Sequence, residues 1–173
     1  MNLLGWKIVG RLPDLKKYII IVAPHTSNWD FPLGVLVRGT LDRKISYLGK
    51  KELFRAPFGW IFRALGGYPV DRERSQSMVD RVVRLFQEQE TFLLALAPEG
   101  TRSRVAQWRT GFYHIAVNAG VPIQPVALDY PQKKVEVMDL FYPTGAIEKE
   151  MPVIQEKFKR FKGKRFESRA SFV

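Results

Sequence analysis

Two side chains in the segment Ala23-Pro24-His25-Thr26-Ser27-Asn28-Trp29-Asp30 have the types and spacing needed for proton transfer. If the chain folds back between them, the carboxylate of Asp30 can accept one ring N–H of His25. It then fixes the tautomer and stabilises the charged ring, and the other ring nitrogen faces a cleft as a general base. Taken alone, the spacing also fits a helix N-cap at Asp30, with Phe31 and Pro32 in the first turn, and a satisfied histidine at the core edge.

Two more islands carry polar chemistry: Val70-Asp71-Arg72 and Pro98-Glu99-Gly100-Thr101-Arg102. Other chemistries lack their parts. With no cysteine there is no disulfide, thiolate metal site or cysteine nucleophile, and two histidines, His25 and His114, make no metal cage. No metal site is expected. Neither a Gly-x-Ser-x-Gly elbow nor a phosphate loop of the Gly-x4-Gly-Lys-Ser/Thr type occurs.

The elements that position these islands follow from the pattern of apolar residues. Tyr18-Ile19-Ile20-Ile21-Val22-Ala23 is a short β-branched run and reads as a buried strand ending at His25. Thr91-Phe92-Leu93-Leu94-Ala95-Leu96 reads the same way and ends at Pro98-Glu99. Further strands are expected over 44–48, 68–72, 122–128 and 134–138. Helices are expected over 30–40, 75–89, 111–119 and 146–162. Strands alternating with helices predict one α/β domain over 1–173, with a central mixed or mostly parallel sheet flanked by helices. In such sheets ligands bind at the carboxyl ends of the strands, where the islands fall. Residues 1–12 read either as an interfacial amphipathic segment or as a helix packed on the domain. Residues 163–173 read as a basic, mobile tail.

Taken together and in order, with Lys50-Lys51-Glu52-Leu53 and Gly59-Trp60 between the first two islands and Val121-Pro122-Ile123-Gln124-Pro125-Val126 as the last block, the chain resembles the glycerolipid acyltransferases, the glycerol-3-phosphate and lysophosphatidic acid acyltransferase family. The resemblance covers about residues 18–128. It implies transfer of a fatty acyl group from acyl-CoA or acyl carrier protein to a lysolipid hydroxyl, most directly that of 1-acyl-glycerol-3-phosphate, with another lysolipid or an amino-acid-headed lipid as the alternative acceptor. It implies no cofactor beyond that acyl thioester co-substrate. His25 is then the base and Asp30 its orienting acid; Arg72, Glu99, Gly100, Thr101 and Arg102 help to bind the acceptor. Arg109 stands where many members carry a phosphate-binding lysine, with a different geometry. Pro24 replaces a frequent asparagine and Ala97 a frequent aromatic, and these departures bear on the acceptor. The stretch before the first block is too short for the helical membrane anchor of many members.

The charge fits an anionic partner. Lysine and arginine number 28 against 17 acidic residues, a formal +11. No run reaches the ~20 apolar residues of a membrane span, and no signal peptide opens the chain. A peripheral location on an anionic membrane surface, on the cytoplasmic face, is therefore expected. The aromatic and basic stretch 50–63 supplies both core and lipid-contacting residues. A different class remains open: a catalytically silent basic module for membranes or nucleic acid, using Lys157-Phe158-Lys159-Arg160-Phe161. Such a run is more simply the solvated face of a helix.

Overall fold

The computed structural model describes residues 2, 3, 5–41, 43–70, 75–101 and 107–164. Its frame is a sheet of eight strands: β1 (Asn2–Leu3), β2 (Trp6–Val9), β3 (Lys17–Ala23), β4 (Ile45–Lys50), β5 (Gly67–Val70), β6 (Phe92–Leu96), β7 (Ile123–Asp129) and β8 (Lys134–Val137). Their order is β1-β2-β8-β7-β3-β6-β4-β5. From β7 to β5 all neighbours are parallel, while β8 runs antiparallel to β7 and β1 to β2. The α/β class and mostly parallel sheet expected from the sequence are observed.

The middle strand explains why apolar runs sit where they do. Successive β3 side chains point to opposite faces. Ile19, Ile21 and Ala23 join one core cluster with Val82, Phe86, Phe112 and Ile115. Tyr18 and Ile20 join the other with Leu33, Leu93 and Val126. Both faces are covered, so the strand needs apolar residues at every position rather than at alternate ones. Helix α1 (Asp30–Leu41) supplies Leu33 to one face; α3 (Ser75–Glu88), α4 (Gly111–Ala119) and α5 (Ile147–Glu156) cover the other. A short 3-10 turn (Lys51–Phe54) and α2 (Gly59–Ala64) follow β4. The last turn of α4 is closed by Gly120, whose φ of +64° lets its N–H reach the carbonyls of Ala116 and Val117.

Three expectations change. Residues 2–3 and 6–9 form strands, not a helix. Trp6 to Val9 alternate half-buried and exposed, and Lys7, Ile8 and Val9 pair with Lys134, Val135 and Glu136. Gly10, at φ +86°, turns the chain where an added Cβ would lie 2.3 Å from the Val137 carbonyl. The last helix ends at Glu156, and the chain continues in tighter turns closed by Phe158 N–H to Gln155 and Phe161 N–H to Phe158. Those turns put both phenylalanines in the core, 6% and 8% exposed, so neither offers a face for base stacking. Finally, the tail is seated at its start. Gly163 is buried against Thr26, and the Lys164 ammonium lies 4.4 Å from the centre of the Trp29 ring.

The same geometry sets two stability effects of opposite sign. Ile21→Ala empties a fully buried position on the central strand and costs about 2–5 kcal/mol. Gly34→Ala, in α1 with nothing within 4 Å of the new methyl, gains about 0.5–1 kcal/mol. Thermal or denaturant unfolding of the two variants measures both.

Candidate active site

The carboxyl ends of the parallel strands converge on one edge. The Ala23 end of β3 is level with Ala127 of β7, and Ile21 with Leu96 of β6. Two residues past its strand, His25 therefore faces the Pro98–Gly100 turn on one side and the end of β7 on the other. The chain reverses after a cis Ala23–Pro24 peptide and enters α1 at Asp30.

Within this reversal the Asp30 carboxylate, 5% exposed, collects four donors. Its Oδ2 accepts the His25 Nδ1–H at 3.0 Å and the backbone N–H groups of Thr26 and Ser27 at 2.9 Å each. Its Oδ1 accepts the hydroxyl of Tyr130 at 2.5 Å. The carboxylate thus turns back into the loop before α1 instead of capping the helix. Burial alone would raise the Asp30 pKa. The hydrogen bonds from His25, Tyr130 and Ser27 outweigh it and hold the group below its ordinary value. Donation from Nδ1 leaves the lone pair on Nε2, and the imidazole keeps 21% of its surface open.

Glu99 supports the same histidine from the other side. Both its oxygens lie 3.1 Å from the His25 backbone nitrogen. Burial pushes its pKa up, against the pull of that N–H, and the Asp30 charge pushes the same way. The sequence reading expects Glu99 at the acceptor; in the structure its carboxylate takes the histidine's main chain. Gly100 sits at φ +68° with the Arg109 side chain across it, and an added Cβ would lie 2.6 Å from Arg109 Cδ and Nε. The Arg109 N–H closes this turn on the Pro98 carbonyl at 2.8 Å. Arg109 and Thr101 are both exposed at this edge. The expected anion ligands Arg72 and Arg102 lie outside the described residues, as do the flanks at 71–74 and 103–106.

Two supports have no motif in the sequence. Tyr130 stands 100 residues from Asp30. It follows a buried parallel strand directly, as His25 and Glu99 follow theirs within two or three residues, and that position is the one signal that points to it. The seat of Gly163 on Thr26 has none. No group of three or more metal-ligating side chains occurs among the described residues.

A family model described as Acyltransferase matches residues 8–129. The 1-acyl-sn-glycerol-3-phosphate acyltransferase of Haemophilus influenzae is 30% identical over 145 residues, 78% of this chain and 59% of that protein. The protein of the same name from Salmonella typhimurium is 32% identical over 78% of this chain and 58% of its own. The chain thus spans under two thirds of the length of these curated relatives. The crystal structure of the 1-acyl-sn-glycerophosphate (LPA) acyltransferase PlsC from Thermotoga maritima superposes with a TM-score of 0.64, covering 91% of this chain and 71% of that one. At 24% identity, that likeness is one of fold. The family match takes in the His25–Asp30 reversal, the Pro98–Thr101 turn and the strands that bring them to one edge, and the chain belongs to the Acyltransferase family.

Proposed function

We propose that this chain moves a fatty acyl group from an acyl thioester to the free hydroxyl of a lysolipid. The observation that carries this reading is the 3.0 Å contact between His25 Nδ1 and a buried, fully hydrogen-bonded Asp30. In the reaction His25 Nε2 takes the proton of the acceptor hydroxyl as its oxygen bonds to the thioester carbonyl carbon. The tetrahedral intermediate then collapses, the C–S bond breaks, and the imidazolium returns the proton to the departing thiolate. Asp30 stays ionised and stabilises the imidazolium. The acceptor supplies the nucleophile, so no ester on the protein is needed.

The relatives' names point to 1-acyl-glycerol-3-phosphate as acceptor, with phosphatidic acid as product. Acyl-CoA or acyl carrier protein is the donor. Arg109 and Thr101, beside Glu99, are suited to the acceptor's phosphate, with Arg72 and Arg102 in the same role. Glu99 is a positioning residue that fixes the His25 main chain. A peripheral location on an anionic membrane is supported by exposed Phe58 and Trp60, 65% and 68%, beside exposed Lys50, Lys51 and Arg55. No helix among the described residues is long and apolar enough to cross a membrane.

The direct test offers lysophosphatidic acid, glycerol-3-phosphate and a neutral lysolipid with long-chain acyl-CoA, and then with acyl carrier protein as donor. Transfer to lysophosphatidic acid, reduced about a hundredfold or more in His25→Ala, is expected. Equal rates in wild type and variant would overturn the mechanism; transfer to another acceptor would move the substrate and keep it.

Glu99 gives a pH-dependent effect. A carboxyl whose pKa is raised by folding stabilises the fold below its ordinary value near 4.5 and loses that contribution as pH rises through the raised value. Glu99→Gln keeps an oxygen for the His25 N–H and cannot ionise. The melting temperature of the variant relative to wild type is expected to rise between pH 4.5 and pH 8. In vesicle flotation, Phe58→Glu with Trp60→Glu is expected to weaken binding to phosphatidylglycerol vesicles about tenfold or more.

A further inference from the structure

We infer that Tyr130 is a positioning residue of the His25–Asp30 pair, holding the carboxylate in the rotation that presents Oδ2 to the imidazole. This rests on the acyl-transfer reading for its catalytic consequence and on geometry alone for its structural part.

The case begins with the carboxylate. Asp30 is nearly sealed from solvent, so each of its oxygens needs partners from the protein. Oδ2 has three, all from the loop that Asp30 itself closes: the His25 ring and the N–H groups of Thr26 and Ser27. Oδ1 takes the Tyr130 hydroxyl, from the turn that follows β7. Without that donor a buried oxygen would be unsatisfied, and the carboxylate could relieve it by rotating about its Cβ–Cγ bond, which would take Oδ2 off the imidazole. The bond also withdraws charge from the carboxylate. It therefore remains a charge partner for the ring and does not take the Nδ1 proton.

Tyr130 is itself braced on three sides. The ring of Trp6 meets its ring edge-on at 4.9 Å and 89°. Its N–H donates to the Lys162 carbonyl at 3.0 Å, and its carbonyl accepts the Lys133 N–H at 3.2 Å. The brace thus comes from β2, from the turn before β8, and from the segment that seats Gly163 on Thr26. Tyr130 remains a donor across the working pH range, because burial and then the adjacent Asp30 charge push its own ionisation far above that of free tyrosine. Trp6 and Tyr130 both fall just outside residues 8–129, the span the family shares with this chain.

Tyr130→Phe keeps the ring and its contact with Trp6 and removes the hydroxyl alone. In steady-state assays kcat is expected to fall on the order of tenfold to a hundredfold, the range of a lost hydrogen bond to a charged group. KM for donor and acceptor should stay within about twofold. The substrate-free protein gives a second readout, the downfield proton resonance of the His25 Nδ1–H, identified by its loss in His25→Gln. It is expected to shift or broaden in Tyr130→Phe. Trp6→Leu, which loosens the brace and leaves the hydroxyl, is expected to give the same changes to a smaller degree and serves if the first variant does not fold. A wild-type kcat with an unmoved resonance would overturn the inference. So would a fall in activity matched by loss of folded protein, with the resonance unchanged in the folded fraction. If the wild type transfers no acyl group to any acceptor, the acyl-transfer reading fails, and the resonance still decides whether Tyr130 positions the pair.

Discussion

A single buried carboxylate organises this molecule's working edge. Asp30 is an ionised group taken out of water, and that is tolerable only because four donors converge on it. Each donor ties down a different piece of chain: the imidazole, two consecutive loop amides, and a phenol from across the sheet. Removing the charge would leave those donors unpaired in a low-dielectric setting, and removing a donor would leave the charge short of a partner. The loop from 24 to 30 therefore has little freedom to take another conformation. That rigidity is what a general base requires, because its orientation must be set before the substrate arrives.

The sheet makes this arrangement possible by sending several parallel strands to the same edge. β3 ends at the histidine, β6 at the glutamate that holds the histidine's backbone, and β7 at the tyrosine that holds the aspartate. Neighbouring strands lie about 4.8 Å apart, so side chains one to three residues beyond their ends are within reach of each other without long loops. The burial of β3 and β7 on both faces has the same origin. Strands covered on both faces are held firmly, and firm strands place their terminal residues reproducibly.

Much of this was legible in the sequence because its signals are local. The runs at 18–23 and 91–96 could hardly be anything but buried strands, and the polar residues at their ends stood out against them. His25 and Asp30 are five residues apart, close enough for a turn to join them. The N-terminal strands were harder. Four residues of alternation at Trp6-Lys7-Ile8-Val9 are too few to separate a strand from a short amphipathic helix, and what decides it is the pairing with Lys134–Glu136 far along the chain. Tyr130 and Gly163 were out of reach for the same reason. Their partners are fixed by tertiary folding, and no spacing rule connects positions 30 and 130. The motif marks Glu99 as a residue but not its hydrogen bond to the His25 main chain, since a motif gives the side chain and leaves open which atom it meets.

The pairing of β2 with β8 has a consequence for how the protein is made. The chain leaves the ribosome from its N-terminus, yet Lys7, Ile8 and Val9 have their sheet partners at Lys134, Val135 and Glu136. Tyr130, the donor to Asp30 Oδ1, emerges 100 residues after Asp30. Strand β2 therefore waits for β8. The loop bearing the histidine is likewise completed only when the segment containing Gly163 has folded back onto Thr26. Contacts of such sequence separation are slow to form. The local contacts of the histidine loop can form early, whereas the fourth donor to Asp30 is added only once residue 130 has been made and has folded against that loop.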